Sequence, residues 1–235
     1  MKNKTVQIED LGHKDFKWCW DYQETYFQKI LDIKINNRRT DQQKDTPNYL
    51  IFVEHPHVYT LGKSGDINNL KISDTELEKV NATYYKINRG GDITYHGPGQ
   101  VVAYPILDLE NFFTDIHMYL RLLEESVIKT LAEFDIKGER SKGETGVWID
   151  VGTPYARKIC AMGVRASRWV TMHGLAFNIN TDLNYFNHII PCGIEDKTVT
   201  SLNKELGKAS LDLDKIKNLL TKHFLELFEA TKAMD

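Results

Sequence analysis

The three cysteines are the residues of this sequence best suited to covalent chemistry. Cys19, Cys160 and Cys192 are widely spaced and form no C-x-x-C pair, so neither a zinc knuckle nor a disulfide framework is indicated. Cys192 stands between Pro191 and Gly193, which predicts a loop that exposes the sulfur and directs backbone N–H groups at a developing oxyanion. Because most free cysteines are structural, this tripeptide alone leaves both interpretations open.

A lysine is the second group with chemical promise. Lys158 opens an otherwise apolar strand, where burial would lower its pKa towards a value useful for proton transfer; the alternative is a lysine that reaches solvent from the strand end. Two residues further on, Cys160 should face the same side of the strand, either as a packed residue of the same pocket or as a rival nucleophile. Cys19, between Trp18 and Trp20 on a predicted helix, is expected to pack in the core.

A glycine-rich segment is a third candidate. Arg89–Gln100 holds four glycines and a proline within twelve residues and follows a predicted strand. Such glycines allow the backbone to approach a ligand closely, whereas a simple β-hairpin with an exposed arginine and histidine is the alternative. A further candidate segment is the predicted strand His173–Ile179, which has a glycine, Gly174, near its start.

Other catalytic classes find little support. The pair His55 and His57 is not accompanied by an H-E-x-x-H motif or a Cys/His quartet, so we expect no metal site. Glu124 and Glu125 fall on a predicted helix and are interpreted as solvated surface, which leaves glycosidase chemistry without a carboxylate pair. Neither G-x-G-x-x-G nor G-x-x-x-x-G-K-[ST] occurs, so a nucleotide site is not indicated.

Periodicity predicts the elements that position these residues. Apolar residues at helical spacing predict helices over 15–35, 115–134 and 212–229, and a capping-box pattern at Ser73 predicts a shorter one. Short runs rich in Val, Ile, Tyr and Phe predict strands over 49–53, 58–61, 83–88, 101–106, 146–149, 158–164 and 175–179. We therefore predict an α+β fold, with a mixed sheet of about seven strands packed with helices.

Length and composition bound the remaining possibilities. The 235 residues carry 30 Lys+Arg against 33 Asp+Glu and are 41% hydrophobic, as in an ordinary globular protein. We expect one domain over 1–235, with its core over about 11–206 and a C-terminal helix over about 212–229. The near-neutral charge argues against a nucleic-acid partner, and neither a membrane span nor a signal peptide is found, so the expected location is the cytoplasm.

Several segments together resemble the lipoyl(octanoyl) transferases, which are octanoyl-[acyl-carrier-protein]:protein N-octanoyltransferases. The resemblance runs from about Leu11 to Leu206, and the lysine and cysteine lie 192 − 158 = 34 positions apart, as they do in that family. Cys160 stands where the family commonly has a small residue such as alanine. The matching stretches are Glu54–Gly62, Arg89–Gln100, Lys158–Arg165, His173–Asn178, Pro191–Gly193 and Thr198–Leu202.

The resemblance implies a fold like that of the biotin and lipoate protein ligases. It implies transfer of an octanoyl group from octanoyl-acyl carrier protein, through a thioester on Cys192 assisted by Lys158, to a lysine of the lipoyl domains of 2-oxoacid dehydrogenases or of the glycine-cleavage H protein. No ATP, metal or other cofactor is implied. The implied acyl-binding residues are Arg89, Gly90, Gly91, Asp92, Ile93, Thr94, Tyr95, His96, Ala161, Met162, Gly163, Gly174, Leu175 and Ala176.

Three other functions are weighed against this one. An ATP-dependent lipoate–protein ligase of the same fold needs no cysteine nucleophile, so Cys192 and Lys158 argue against it. A lipoyl amidotransferase also uses a cysteine, but the order of the motifs fits the carrier-protein enzyme better. A non-catalytic module that binds acyl groups or lipoyl domains would have no need to retain both residues.

Overall fold

The structure, a computed structural model, describes residues 2–40, 43–190 and 198–234. Within these ranges two sheets and five α-helices form. The strands are β1 (Thr5–His13), β2 (Asn48–Glu54), β3 (Val58–Leu61), β4 (Thr83–Lys86), β5 (Ile93–His96), β6 (Gln100–Ile106), β7 (Val147–Ile149), β8 (Arg157–Ser167), β9 (Val170–Asn178), β10 (Thr198–Val199) and β11 (Thr231–Lys232). The helices are α1 (Phe16–Asn37), α2 (Asp74–Lys79), α3 (Ile116–Ala132), α4 (Leu202–Glu205) and α5 (Leu213–Leu227).

The larger sheet has eight strands and mixed pairing. Its order is β10-β8-β9-β6-β2-β1-β11, with β7 paired to β8 off this path. The β1–β2, β1–β11 and β8–β10 pairs are parallel, and the other pairs are antiparallel. A second sheet of three strands has the order β4-β3-β5. The α+β prediction with a mixed sheet is therefore confirmed, with more strands than the seven expected.

Alternating side chains divide the larger sheet into two packed faces. On β2, Leu50 and Phe52 belong to the core that packs against α3 and α5, while Tyr49 and Ile51 belong to the core beneath α1. This is the period of two that a strand imposes on its side chains. A third core lies between the small sheet and the segment before residue 190, and it includes Tyr59, Tyr95 and Ile189.

The predicted helices form, and their ends have local causes. The side chains of Asp15, Asp115 and Asp212 accept hydrogen bonds from backbone N–H groups at the starts of α1, α3 and α5. At α2, Ser73 and Glu76 complete the predicted capping box. None of the helices in the described ranges is both long enough and apolar enough to cross a bilayer.

Five elements were not predicted, namely β1, β5, β10, β11 and α4. The strand β1 has only one fully buried residue, Val6, so its sequence lacks a clean alternation. The strand β5 lies inside the glycine-rich segment, and β10, α4 and β11 are only two to four residues long. These elements form because neighbouring strands and helices supply partners, which periodicity along a short stretch does not reveal.

Candidate functional site

A cavity of about 590 Å³ lies where the two sheets meet. It is lined by β8 and β9 of the large sheet, by the Arg89–Gly91 loop and β5 of the small sheet, and by the 143–145 loop. Fourteen of the predicted site residues line it: Lys158, Arg89, Gly90, Gly91, Asp92, Ile93, Thr94, His96, Ala161, Met162, Gly163, Gly174, Leu175 and Ala176. Predicted site residues from three separate sequence segments are thus brought to one cavity.

The Arg89–Gly91 loop is fixed between the two sheets. The Gly90 N–H donates to the Val164 carbonyl of β8 at 2.9 Å, and the Lys63 N–H donates to the Arg89 carbonyl at 3.0 Å. The Arg89 guanidinium donates through Nη2 to the Thr60 carbonyl at 2.6 Å and to the Thr60 hydroxyl at 2.9 Å. The buried arginine therefore holds the loop onto β3 while the backbone holds it onto β8.

Two glycines make room for this loop. A β-carbon on Gly62 would lie 2.1 Å from the Gly91 carbonyl oxygen, and one on Gly163 would lie 2.7 Å from the Gly90 carbonyl oxygen. Both contacts are with backbone atoms, which cannot move aside without shifting the loop. The close approach that the glycine-rich segment predicted therefore depends also on glycines in β8 and just after β3.

Lys158 lies at the end of the cavity where β7, β8 and β10 meet. Its partners in register are Trp148 on β7 and Val199 on β10, and its Nζ lies 4.6 Å from the centroid of the buried Trp148 ring. The Lys158 carbonyl accepts a hydrogen bond from the Thr200 N–H at 2.9 Å. The side chain is half-buried and reaches the cavity, so it is not a strand-end lysine pointing only to solvent.

Cys192 lies outside the described residues, so its role stays a prediction. The chain on either side of residues 191–197 is described. On one side, the Ile190 N–H donates to the Asn69 carbonyl at 2.8 Å, and the Asn69 amide donates to Asp92, a lining residue, at 2.6 Å. On the other side, Val199 pairs with Lys158 and lines the cavity itself.

The other two cysteines are buried. Burial raises the pKa of the Cys19 thiol to about 12, and burial also raises the pKa of the Cys160 thiol. Both thiols are therefore held in the neutral form, which is a poor nucleophile.

Cys160 does not share a side of β8 with Lys158 in the way that simple alternation predicts. The β7–β8 register passes from Val147 paired with Cys160 to Trp148 paired with Lys158, so Ile159 is one extra residue on β8. Ile159 and Cys160 are both fully buried in the core beneath α3 and α5. This β-bulge breaks the period of two, because an extra residue changes the side to which the following side chains point.

Three buried histidines in or beside the site are held neutral. Burial lowers the pKa of His55 to about 4 and the pKa values of His96 and His173 to about 3. His96 and His173 line the cavity, and His173 bonds through Nε2 to the Asn88 side-chain oxygen at 3.0 Å. His173 also has a positive φ of 59° inside β9, and the Gln23 side-chain oxygen accepts its N–H at 2.9 Å.

Tyr95 is the one predicted acyl-binding side chain placed elsewhere. Its ring stacks on Tyr185 with 4.9 Å between centroids, and its hydroxyl bonds to His57 Nδ1 at 2.7 Å. His55 is also fully used in the structure, since Nδ1 bonds to the Lys14 carbonyl at 2.8 Å and Nε2 to the Tyr104 hydroxyl at 2.7 Å. Within the described ranges, no group of three or more His, Cys, Asp or Glu residues is placed to hold a metal ion.

The interpretation of Glu124 as solvated surface is wrong. Its side chain is fully buried and accepts hydrogen bonds from Arg121 at 2.7 Å, from Arg140 at 3.0 Å and from the Gly146 N–H at 3.0 Å. The helix pattern predicted that Glu124 is exposed to solvent. The two arginines that neutralise its carboxylate, Arg121 and Arg140, lie three residues away and in a distant loop, so the sequence around Glu124 does not show that it is paired. Buried carboxylates persist where such partners compensate them.

Several lining residues were missed as site residues. Gln100 and Asn178 lie inside the quoted motifs, and their buried amides could have been singled out there as polar groups in apolar strands. Phe16, Leu120 and Val199 come from elements whose sequences carry no local sign of a cavity. Beside Lys158, Arg157 donates two hydrogen bonds to Glu205, at 2.7 and 2.5 Å. These two residues are far apart in sequence, so their pairing could not be predicted without the fold.

Comparisons with known proteins identify the family of the chain. Residues 19–225 match the family model of the lipoyl protein ligase A/B catalytic domain. The octanoyltransferase of Flavobacterium psychrophilum is 69% identical over 97% of this chain and 99% of its own length. That of Christiangramia forsetii is 68% identical over 97% of each chain.

Solved structures show the same fold at low identity. A lipoate–protein ligase A structure with bound ATP superposes with a TM-score of 0.70 at 13% identity, over 99% of this chain and 88% of that one. The bipartite lipoate protein ligase of Thermoplasma acidophilum gives 0.67 at 18% identity, over 100% and 87%. These likenesses establish the biotin and lipoate ligase architecture. The chain therefore belongs to the lipoyl protein ligase A/B catalytic-domain family, within the acyltransferases known as octanoyltransferases.

Proposed function

We propose that this octanoyltransferase accepts its acyl group from octanoyl-acyl carrier protein, holds it as a thioester on Cys192 and passes it to a lysine amine of a lipoyl domain. The observation that carries the proposal is the position of Lys158 in an apolar-walled cavity, paired in register with the chain that continues from the cysteine segment. The reaction would supply the octanoylated protein from which lipoate is built.

The flanks of the cysteine segment support the pairing of Cys192 with Lys158. Ile190 is anchored beside the cavity, and two residues of extended chain span at most about 7 Å. Val199 is anchored on Lys158 itself. A thiol of pKa about 8.5 is mostly neutral at pH 7, and a neighbouring ammonium increases the thiolate fraction.

The chemistry then follows in two acyl transfers. The Cys192 thiolate attacks the donor thioester carbonyl, a new C–S bond forms, and the carrier thiolate leaves with a proton from Lys158. The neutral Lys158 amine then takes a proton from the incoming lysine as that nitrogen attacks the enzyme thioester; the C–N bond forms and the Cys192 sulfur leaves. The first transfer exchanges similar thioesters and the second makes an amide, so neither needs ATP, and no metal or other cofactor takes part.

The cavity suits an eight-carbon chain. Met162, Leu175, Ala161 and Ala176 supply apolar walls, and each CH₂ removed from water contributes about 0.8 kcal/mol. The glycines of the Arg89 loop and β8 let the acyl chain pass close to the backbone. The neutral histidines add polarity without adding charge, because their pKa values lie well below 7.

The proposal also covers the proteins that accept the octanoyl group, the cellular location of the enzyme and the extent of its catalytic domain. The Thermoplasma acidophilum structure concerns a lipoate protein ligase and its E2 lipoyl domain, and E2 lipoyl domains and the glycine-cleavage H protein are the acceptors that we infer here. We infer a cytoplasmic enzyme with no nucleic-acid or membrane partner; the near-neutral charge of the chain supports the absence of a nucleic-acid partner. The match over residues 19–225 supports one catalytic domain over the whole chain.

Intact-mass spectrometry tests the proposal. Wild-type protein incubated with octanoyl-acyl carrier protein, without ATP, should gain one octanoyl group and transfer it when a lipoyl domain is added. Cys192→Ala should gain none, whereas the matched control Cys160→Ala should load and transfer normally because Cys160 is buried and neutral. Loading of Cys192→Ala through a hydroxylamine-sensitive bond, or a requirement for ATP with free octanoate, would contradict the proposal.

A further inference from the structure

Among the residues that the structure describes, none is a hydrogen-bond partner of one ring nitrogen of His96. Its Nδ1 bonds to the Gln100 Oε1 at 2.8 Å, and its ring stacks on Phe16 with 6.0 Å between centroids. Across residues 2–40, 43–190 and 198–234, no group hydrogen-bonds to the His96 Nε2. This nitrogen is also not among the unpaired polar atoms that are fully excluded from solvent. Since His96 lines the cavity, this nitrogen is accessible from it.

The protonated ring nitrogen of His96 follows from two backbone carbonyls, those of Thr200 and Tyr95, which fix the orientation of the Asn178 and Gln100 amides. The Asn178 Nδ2 donates to the Thr200 carbonyl at 3.0 Å, so the Asn178 Oδ1 is the acceptor for the Gln100 Nε2 at 2.9 Å. The Gln100 Nε2 also donates to the Tyr95 carbonyl at 3.1 Å. The Gln100 Oε1 therefore accepts from the His96 Nδ1–H, and the neutral ring keeps a lone pair on Nε2.

The groups of the protein around the His96 ring leave the Nε2 lone pair facing the cavity. Besides Gln100, the described groups next to the His96 ring include Phe16, His55, Arg89 and His173. The His55 nitrogens are both engaged, and His173 donates to Asn88. The Arg89 guanidinium donates to the Thr60 carbonyl and to the Gly90 carbonyl. When an acyl chain fills the cavity and displaces solvent, this acceptor is suited to a hydrogen-bond donor on the substrate, because an acceptor left unpaired away from water costs free energy.

We propose that the His96 Nε2 accepts a hydrogen bond from a substrate N–H during acyl transfer. The inference rests on the proposed function and gives a specific role to the Nε2 of His96, a residue that the family resemblance already places among the acyl-binding residues. Two substrate groups carry this chemistry: the incoming lysine amine, and the amide N–H nearest the thioester in the donor's pantetheine arm. His96 orients the donor and takes no proton, so the proton balance of both transfers stays with Lys158 and the sulfur atoms.

The test separates the two half-reactions in the full-length enzyme. Loading is followed by intact mass with octanoyl-N-acetylcysteamine, which has the amide, and with ethyl thiooctanoate, which lacks it; transfer is followed from pre-loaded enzyme to a lipoyl domain. The variants are His96→Phe, which keeps the stack on Phe16, and His96→Asn, a smaller polar replacement for use if the first fails to fold. His55→Phe is the matched control, because His55 is equally buried and has both nitrogens bonded inside the protein.

Loss of one neutral hydrogen bond should slow a single step about ten-fold. Slower transfer with unchanged loading assigns the donor to the lysine amine. Slower loading of the amide-containing thioester, with unchanged loading of the ethyl thioester, assigns it to the pantetheine arm. An equal effect on both steps and both thioesters, matching that of His55→Phe, would overturn the inference. Wild-type enzyme that neither loads nor transfers would instead contradict the proposed function.

Discussion

At the scale of single residues, the site depends on which groups carry charge and which do not. Lys158 has the Trp148 ring beside its ammonium, while the nearby Cys160 thiol and the histidines of the cavity are held neutral by burial. Sequence identified the lysine and the glycine-rich loop, since unusual residue types stand out in a short segment. It could not assign Glu124 to the interior, because its compensating arginine Arg140 is brought close only by tertiary structure.

Gly62 is predicted to tolerate no side chain. In Gly62→Ala the new β-carbon would meet the Gly91 carbonyl oxygen at 2.1 Å, so the Arg89–Gly91 loop must shift. Overpacking of this kind costs about 1–3 kcal/mol, which should lower the melting temperature by roughly 3–10 °C. Gly90→Ala is the control, because its β-carbon would lie 3.4 Å from the Val164 carbonyl oxygen. Equal melting temperatures for the two variants would contradict this account of the loop.

At the scale of elements, β8 carries most of the site and is supported at both edges. The strands β7 and β10 pair with its first residues, β9 pairs along its length, and the Arg89–Gly91 loop bonds to Val164. The strand itself was predictable from its apolar run, but its bulge at Ile159 was not, since register depends on the partner strand. That bulge is why Cys160 packs in the core although Lys158 lines the cavity.

An ion pair beside Lys158 is predicted to fix β10 on β8. Arg157 on β8 donates to Glu205 of α4 at 2.7 and 2.5 Å, and Glu205 also accepts from the Thr200 hydroxyl at 2.5 Å. A hydrogen bond from Arg157 lowers the pKa of Glu205. The double-mutant cycle of Arg157→Ala and Glu205→Ala should give a coupling free energy of about 1 kcal/mol in denaturant unfolding.

The same cycle should appear in the kinetics. If the pair positions the chain that follows the cysteine segment, each single variant should slow octanoyl transfer several-fold, and the double variant should be no slower than the worse single one. The exposed pair Lys17–Asp21 is a control that should leave both measurements unchanged. Additive effects of the Arg157 and Glu205 substitutions would show that the two side chains act independently.

At the scale of the whole molecule, the cavity exists because two sheets meet. Local sequence patterns found seven of the strands, three helices from periodicity and a fourth from its capping box, and thereby the fold class, but they did not separate the strands into two sheets. The motif resemblance supplied the family and the function, which the comparisons with curated octanoyltransferases confirm. Hydrophobic patterning of the sequence alone would not have located the cavity, because the way in which the two sheets meet depends on contacts between segments that are distant in sequence.

Global stability is predicted to fall as pH drops from 7 to 5. His55, His96 and His173 have folded pKa values of about 4, 3 and 3, against 6.5 when unfolded, so the unfolded chain binds more protons in this window. Their stabilising contribution is complete above about pH 6.5 and is progressively lost below it, by roughly 6 kcal/mol for the three together at pH 5. Urea unfolding at pH 7, 6 and 5 measures this, and an unchanged free energy of unfolding would contradict the neutral state of these rings.

The central claim is that Lys158 holds the Cys192 thiol ionised at the cavity, and the rate of Cys192 alkylation by iodoacetamide as a function of pH tests it most directly. Cys19 and Cys160 are buried, so the reaction reports on Cys192 when read by peptide mass. The account predicts a thiol pKa at least one unit below about 8.5 in the wild type, and a return to about 8.5 or higher in Lys158→Met. The same thiol pKa in both proteins would contradict it.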